Sequence, residues 1–224
     1  MGKILFEDRF DAGRKLAELL KRENHKFKDP IVLGIPRGGV PVGVVVAGEL
    51  GCELEVIVLR KIPIPQDPEA GFGAVTLDKT VILNQELLEY VKITKEQMEK
   101  EIEEVYQEVL RRDVVYRGKR PFPDLKNRSV ILIDDGLASG YTMLAAVKFC
   151  INKNPERIVA AIPVASDSAA ELIGKEVDEF VVLHTSHSFY FAVASFYENF
   201  EDMEDEEVIE IIERSNKKND SEIK

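Results

Sequence analysis

The stretch from Val130 to Thr142 constrains the fold more than any other part of the chain; it reads V-I-L-I-D-D-G-L-A-S-G-Y-T. Its four leading apolar residues, three of them β-branched, are typical of a buried parallel strand. Asp134 and Asp135 follow at the end of that strand, and a loop containing Gly and Ser leads into a helical pattern. This order favours an anion site, because N–H groups at a helix N-terminus point outward and glycine lets an oxyanion approach the backbone.

Two carboxylates beside an anion site narrow the choice of ligand, because carboxylates repel phosphate. The repulsion is avoided where a cation lies between the charges, or where the carboxylates face a hydroxyl-rich part of the same ligand. Phosphoribosyl pyrophosphate (PRPP) carries a phosphate at one end, a diol in the middle and a metal-bound polyphosphate beyond, so it meets both conditions. The alternatives are a plain Asp-Asp-Gly turn and an acidic pocket of the receiver type, which normally follows a first strand near the N-terminus.

The stretch resembles the PRPP-binding signature of the type I phosphoribosyltransferases. That signature is an apolar strand, two acidic residues, three variable residues, then Thr or Ser, Gly, any residue and Thr. The resemblance implies that Asp134 and Asp135 are catalytic, face the ribose hydroxyls and reach a Mg²⁺ ion, partly through water. It also implies that the loop holds the 5′-phosphate of PRPP through its amides and two hydroxyls; these residues are Gly136, Leu137, Ala138, Ser139, Gly140 and Thr142.

Two further segments resemble the pyrophosphate-binding parts of the same family. Arg37, Gly38 and Gly39 resemble its pyrophosphate loop, although Pro-Arg-Gly-Gly taken alone could be a plain turn. Arg60 and Lys61 resemble its basic pair, with a catalytic and a pyrophosphate-binding role, although as isolated residues they could be ordinary surface charges. The next segment, 62–73, carries three prolines and two glycines, so we expect it to be irregular and to be the mobile catalytic loop.

Strands and helices alternate along the chain, which predicts an α/β fold with a mostly parallel, twisted sheet flanked by helices. Ligands of such sheets bind beyond the carboxyl ends of the strands, at a topological switch point. The three candidate segments each follow a predicted strand, so we expect them to form one site. The predicted strands are 31–35, 53–59, 130–133, 157–163 and 179–183, with a short hairpin at 74–83.

The C-terminal part differs in character from the rest. We predict a core at 1–183 and a small hood at 184–224, made of an aromatic segment, an acidic helix and a tail, all within one compact domain. The resemblance places the acceptor base under this hood. The aromatic residues could stack on the base or pack the hood on the core, and His184 and His187 lie beside them; the aromatics are Phe189, Tyr190, Phe191, Phe196, Tyr197 and Phe200.

The resemblance covers nearly the whole chain. The runs R-K-I-P-I-P-Q-D-P-E-A-G-F-G-A-V and S-F-Y-F-A-V-A-S-F-Y in particular resemble the stand-alone phosphoribosyltransferases of bacteria and archaea. It implies a magnesium-dependent enzyme that transfers the 5-phosphoribosyl group from PRPP to a nitrogenous base or related acceptor and releases pyrophosphate. The alternative is a PRPP sensor without turnover. The presence of Arg37, Arg60, Lys61 and the long loop together favours catalysis.

One position bears on the acceptor. Relatives that use 6-oxopurines carry an aspartate, assigned to proton transfer, two residues before the second glycine of the phosphate loop, and this chain has Ala138 there. Since alanine cannot take a proton, we expect weak or no release of pyrophosphate with hypoxanthine and guanine. Adenine-like, pyrimidine or non-nucleobase acceptors should do better. Rapid conversion of hypoxanthine to its mononucleotide by the purified protein would contradict this expectation.

Composition limits the partners. The net charge of −11 argues against a general nucleic-acid surface, and no apolar run approaches the roughly 18–20 residues needed to span a bilayer. Cys52 and Cys150 are expected to be free thiols of a reducing cytoplasm. The partners that we expect are therefore PRPP and a small-molecule acceptor, without nucleic acid or membrane; a homo-oligomer such as a dimer stays open.

Overall fold

The computed structural model describes residues 4–22, 26–64, 67–118, 120–188 and 190–222, with side chains left out at 67–70 and 216–222. The strands are β1 (Ile31–Gly34), β2 (Glu53–Val56), β3 (Leu59–Ile64), β4 (Asp67–Thr76), β5 (Val81–Leu83), β6 (Ser129–Ile133), β7 (Arg157–Ser166) and β8 (Glu179–Ser186). The helices are α1 (Arg9–Arg22), α2 (Gly39–Leu50), α3 (Gln85–Tyr90), α4 (Lys95–Arg117), α5 (Tyr141–Ile151), α6 (Asp167–Gly174) and α7 (Asp205–Glu222), with a 3-10 turn at Val193–Phe196.

The central sheet is parallel and has the order β2-β1-β6-β7-β8, which confirms the predicted α/β fold. β1 pairs with β2 on one side and with β6 on the other, so the strand order reverses between β1 and β6. This reversal is a topological switch point, where parallel sheets of this kind bind ligands beyond the carboxyl ends of their strands.

Helices cover both faces of the central sheet because every strand alternates its side chains between two buried faces. Val32 and Ile131 pack with α1 and α2 on one face. Leu33 and Leu132 pack with α5 and α6 on the other. The three inner strands β1, β6 and β7 are therefore buried on both faces almost throughout.

A second sheet, antiparallel with the order β3-β4-β5, packs on α4 and α7. Two predictions about this region were wrong. The segment 62–73 is not irregular, because β3 and β4 pair along it; Pro63 is accommodated where the register shifts, on an edge strand that needs no proline N–H. Arg60 and Lys61 lie inside β3 of the antiparallel sheet and do not, as was predicted, follow a strand of the parallel sheet. The tip, 65–66, lies outside the described residues.

Local signals fixed several helix ends. Thr94 and Gln97 form a capping box at the start of α4. α1 begins at Arg9, and Asp8 caps it by accepting the N–H of Asp11 at 2.7 Å. Both cysteines are free, as predicted. Within the described parts of the chain, no helix combines the length and the apolar character that crossing a membrane requires.

The segment before α1 packs against the segment that follows the 3-10 turn, beside the central sheet. Phe6 bridges to Tyr197 in parallel register, and the Leu5 and Phe6 amides donate to the Phe196 carbonyl at 2.9 and 3.0 Å. Phe196 and Tyr197 are buried, so they pack the predicted hood on the core. β8 continues through Ser186, three residues beyond the division expected at 183. Phe189 lies outside the described residues.

Candidate active site

The acidic pair and the Arg-Gly-Gly loop meet at the switch point. The Ile35 amide donates to the Ile133 carbonyl at 2.8 Å, which carries the β1–β6 pairing into the two loops. A Cβ on Gly38 would lie 1.9 Å from Asp135 Oδ2, and one on Gly39 would lie 2.5 Å from the Ile133 carbonyl oxygen. Only glycine therefore lets the loop approach the carboxylates this closely. The peptide bond between Pro36 and Arg37 is cis.

A cavity of about 420 Å³ opens beyond these strand ends. Lys61 reaches it from β3, and Asp134 reaches it from the end of β6. The whole predicted phosphate loop lines it as well, namely Gly136, Leu137, Ala138, Ser139, Gly140 and Thr142. The antiparallel sheet and α3 close another side through Gly71, Gly73, Asn84 and Leu87. The structure thus brings together most of the predicted site residues.

The phosphate loop is held in shape by β7. Leu137 donates its N–H to the Val164 carbonyl at 2.9 Å, and Ser166 Oγ donates to the Ala138 carbonyl at 2.7 Å. The Leu137 amide is therefore engaged by the protein, unlike the arrangement expected for a phosphate-binding amide. Gly140 has a φ of 79° and precedes α5, whose first internal bond runs from Leu144 N to the Gly140 carbonyl. The preceding amides at the helix start are left for an anion.

The two aspartates occupy different environments. Asp134 lines the cavity and accepts the Asp135 N–H at 2.8 Å. Burial and the neighbouring Asp135 carboxylate raise the pKa of Asp134 well above its usual range. Asp135 instead accepts a hydrogen bond from Arg9 Nε at 2.8 Å. Burial raises the pKa of Asp135 too, but the Arg9 guanidinium limits the rise.

Arg9 is a site residue that sequence reasoning missed. It is 12% exposed, its Cζ lies 3.9 Å from the centroid of the Phe200 ring, and its Nη1 donates to the Glu201 carbonyl at 2.8 Å. Tyr197 Oη donates to the Asp135 carbonyl at 2.6 Å. The start of α1 and the segment 197–201 therefore hold the second aspartate in place. A single arginine near a helix start offers no local signal for this contact.

Arg37 and Arg60 lie outside the lining of the cavity, in a group that we call the arginine cluster. It consists of four arginines around Glu108 and Asp205: Arg37, Arg60, Arg111 and Arg112. Arg60 faces α4 because neighbouring residues of a strand point to opposite sides, and its Nη1 lies 3.1 Å from Glu108 Oε1. Arg37 lies 3.6 Å from Asp205 of α7. The predicted basic pair is thus split, with Lys61 at the cavity and Arg60 in the cluster.

The arginine cluster should show itself in acid unfolding. Hydrogen bonds from Arg111, joined by Arg112 and Arg60, lower the pKa of Glu108 to about 2 from 4.5. Stability from this group is present above pH 4.5 and is lost as pH falls through about 2. Glu108→Gln should therefore flatten the fall in the free energy of unfolding over this range, measured by urea titration. Glu104→Gln, which removes an exposed pair on the same helix, is the control; equal acid limbs in wild type and Glu108→Gln would contradict this expectation.

A second cavity, of about 450 Å³, adjoins the phosphate loop on the hood side. Ala138 lines both cavities. Asp167 and His187, which directly follow β7 and β8, line the second cavity, and Phe191 faces it from the hood. The rule that ligand groups follow strand ends could have singled out this pair from sequence. His184 instead packs on Phe196, with ring centroids 5.5 Å apart.

Comparisons with known proteins agree with this architecture. A family model described as a phosphoribosyl transferase domain matches residues 6–200. A Mycobacterium tuberculosis protein, whose description as a phosphoribosyl transferase is itself provisional, is 36% identical over 196 residues, which are 88% of this chain. The chain spans only 44% of the length of that relative.

Solved structures show the same fold. The crystal structure of a Thermus thermophilus protein is 37% identical, with a TM-score of 0.76, and the match covers 93% of this chain and 98% of that one. A Neisseria gonorrhoeae protein has a TM-score of 0.52 at 11% identity, covering 96% and 98% of the two chains, which shows a shared fold alone. With the family model matching most of its length, the chain belongs to the phosphoribosyl transferase domain family.

Proposed function

We propose that the protein is a magnesium-dependent phosphoribosyltransferase that moves the 5-phosphoribosyl group of PRPP to a nitrogenous acceptor and releases pyrophosphate. One observation carries the proposal. A carboxylate (Asp134), a cation (Lys61) and the phosphate loop that leads into α5 line a single cavity of about 420 Å³. These groups match, in order, a ribose, a pyrophosphate and a 5′-phosphate. A volume of this size suits a sugar phosphate.

Each group has a defined task in the transfer. The amides at the start of α5 hold the 5′-phosphate with the hydroxyls of Ser139 and Thr142. Asp134 faces the sugar, where its charge favours the positive character that develops as the bond from the anomeric carbon to pyrophosphate breaks. Lys61 offsets the negative charge that builds up on the departing oxygen. The fixed positions of these groups limit the reorganisation needed during the reaction.

The residues also fit a magnesium ion that is shared with substrate. Asp134 lines the cavity without an ion-pair partner within the described residues. Burial and the Asp135 carboxylate raise the pKa of Asp134, so a bound cation would favour its ionised form. In the described parts of the chain, no group of three or more His, Cys, Asp or Glu could hold a metal alone. Mg²⁺ commonly binds through one or two carboxylates plus substrate phosphates. When bound, it neutralises charge on the pyrophosphate.

Asp135 and the arginine cluster support this site from outside the cavity. Arg9 engages Asp135 Oδ2, so the second carboxylate orients the loop and leaves Asp134 as the better metal ligand. Arg37 follows β1 at the switch point, and its ion pair with Asp205 spans 3.6 Å, longer than a good hydrogen bond. Pyrophosphate can therefore compete with Asp205 for Arg37. The β3–β4 hairpin is the element that would close over bound substrate and exclude water.

Ligand-linked stability tests the proposal. PRPP with Mg²⁺ should raise the free energy of unfolding by about 2.7 kcal/mol at a hundredfold excess over its dissociation constant. Ribose 5-phosphate should stabilise less, because it lacks the pyrophosphate that Lys61 contacts. Lys61→Gln should narrow the difference between the two ligands. Lys79→Gln is the matched control, since Lys79 lies on the turn of the same sheet and pairs with Glu103.

The outcomes separate enzyme from sensor. Stabilisation by PRPP together with pyrophosphate release in a screen of nucleobases supports the transferase. Stabilisation without release from any acceptor would instead favour a PRPP sensor. Equal stabilisation by PRPP and ribose 5-phosphate would show that the pyrophosphate half of the site is wrongly placed.

A further inference from the structure

The second cavity touches the first at one residue. Ala138 belongs to the lining of both, so a molecule in the second cavity lies directly beside the phosphate loop. The remaining lining is polar apart from Phe191: it consists of a histidine, an aspartate and the hydroxyls of Ser166, Ser168, Ser186 and Ser188. The charged or titratable groups among these lining residues are Asp167 and His187. This is an environment for a planar, hydrogen-bonding molecule rather than for an apolar one.

His187 and Asp167 form an oriented pair in that cavity. His187 Nδ1 lies 2.7 Å from Asp167 Oδ2, so the carboxylate favours the tautomer with the proton on Nδ1 and leaves Nε2 as an acceptor. Asp167 is fixed as the first residue of α6, where Ser166 caps the helix by accepting the Ala169 N–H at 3.1 Å. The two side chains are 84% and 54% exposed, and such exposed pairs contribute little to stability. A contribution to stability therefore does not explain why His187 and Asp167 are paired in this cavity.

We infer that His187 is the general base of the transfer, held in its tautomer by Asp167, and that the second cavity holds the acceptor. This inference rests on the proposed function. A bond forms between the acceptor nitrogen and the anomeric carbon while the bond from that carbon to pyrophosphate breaks. The proton on the attacking nitrogen passes to His187 Nε2, and the Asp167 carboxylate stabilises the resulting imidazolium. The proton is then lost to solvent.

The pair also defines the class of acceptor. A base is needed only where the attacking nitrogen carries a proton that its product cannot keep, which describes the ring N–H of a neutral nitrogen heterocycle. Ala138 has no side-chain group that can take a proton at the junction of the cavities. Asp167 is engaged by His187 Nδ1, so we assign His187 Nε2 as the proton acceptor in the described lining. Phe191 supplies a flat apolar face, and the serine hydroxyls supply donors and acceptors for the polar edge of such a ring.

Removal and chemical rescue of the imidazole test the inference. Pyrophosphate release is measured with PRPP, Mg²⁺ and, in turn, adenine, cytosine, uracil and hypoxanthine, and the best acceptor is carried forward. His187→Ala should lower kcat by about 10²–10⁴-fold without changing KM for PRPP. Free imidazole should restore part of the rate, whereas sodium chloride of equal ionic strength should not. His184→Gln is the matched control, because His184 lies in β8, three residues before His187, and packs on Phe196 instead of lining the second cavity.

A second variant, Asp167→Asn, and the thermal stabilisation by PRPP distinguish the possible outcomes. Asp167→Asn should lower kcat less than His187→Ala and shift the pH profile, while thermal stabilisation by PRPP stays at the wild-type value in both variants. Wild-type kcat in His187→Ala would overturn the inference and leave the proposed function intact. So would a loss that imidazole does not restore. Absence of release by the wild type with all four bases would overturn the proposed function, and this inference with it.

Discussion

Replacing Asp134 by asparagine is expected to lower pyrophosphate release from PRPP by about 10²–10³-fold, the usual cost of removing one preorganised electrostatic group from an active site. Asp134 is the member of the acidic pair that lines the cavity, so the change removes charge at the place where the sugar becomes cationic. Steady-state kinetics with saturating Mg²⁺ and the best acceptor would measure the loss. Most of it should appear in kcat, because the interaction strengthens in the transition state.

The fold should survive this substitution. Asp134 stands at the start of a loop, and its raised pKa means that the ionised carboxylate already costs stability near neutral pH. Asparagine keeps the side-chain oxygen that accepts the Asp135 N–H. Asp134→Asn should therefore melt no lower than wild type. A folded Asp134→Asn protein with wild-type kcat would remove the central claim about the site.

Replacing Arg9 by methionine is expected to lower the free energy of unfolding by about 3 kcal/mol, since removal of one partner from a buried ion pair leaves an uncompensated charge. Arg9 and Asp135 are 12% and 14% exposed, and the carboxylate of Asp134 adjoins them. Without Arg9 the pKa of Asp135 should rise further. The penalty should therefore grow as pH rises and shrink in acid, where the carboxylate is protonated.

Urea unfolding of single and double variants would test the Arg9 contact. Adding Asp135→Asn to Arg9→Met should recover part of the lost stability, because it removes the stranded carboxylate. Arg14→Met is the control on the same helix: Arg14 is 55% exposed and lies 3.6 Å from Asp11, so its removal should change stability by less than about 0.5 kcal/mol. Equal losses of unfolding free energy in Arg9→Met and Arg14→Met would show that the buried pair stabilises the fold no more than an exposed one.

Local sequence determined the elements of the fold and the composition of the site. The site around Asp134 consists of an apolar strand, a loop of small residues and a helix start, all close together in sequence. Its structure therefore follows from local backbone sterics and from the unpaired amides at the helix start. The alternation of strands and helices then led to a parallel sheet, whose geometry gathers strand ends at one edge. For this reason the sequence alone predicts that the acidic pair and the Arg-Gly-Gly loop lie together.

Tertiary structure alone decided which charged side chains face the cavity and which are paired with other side chains. Which aspartate faces the cavity depends on Arg9, which lies 126 residues away in sequence from its partner Asp135. Which basic residue faces the cavity depends on the pairing register of β3. Neighbouring residues of a strand point to opposite faces, so Lys61 faces the cavity and Arg60 contacts Glu108. Proline and glycine in 62–73 indicated a loop, yet pairing with a neighbouring strand made it a hairpin. Such long-range contacts leave no local pattern in the sequence, since they are formed by packing between elements that the chain order keeps apart.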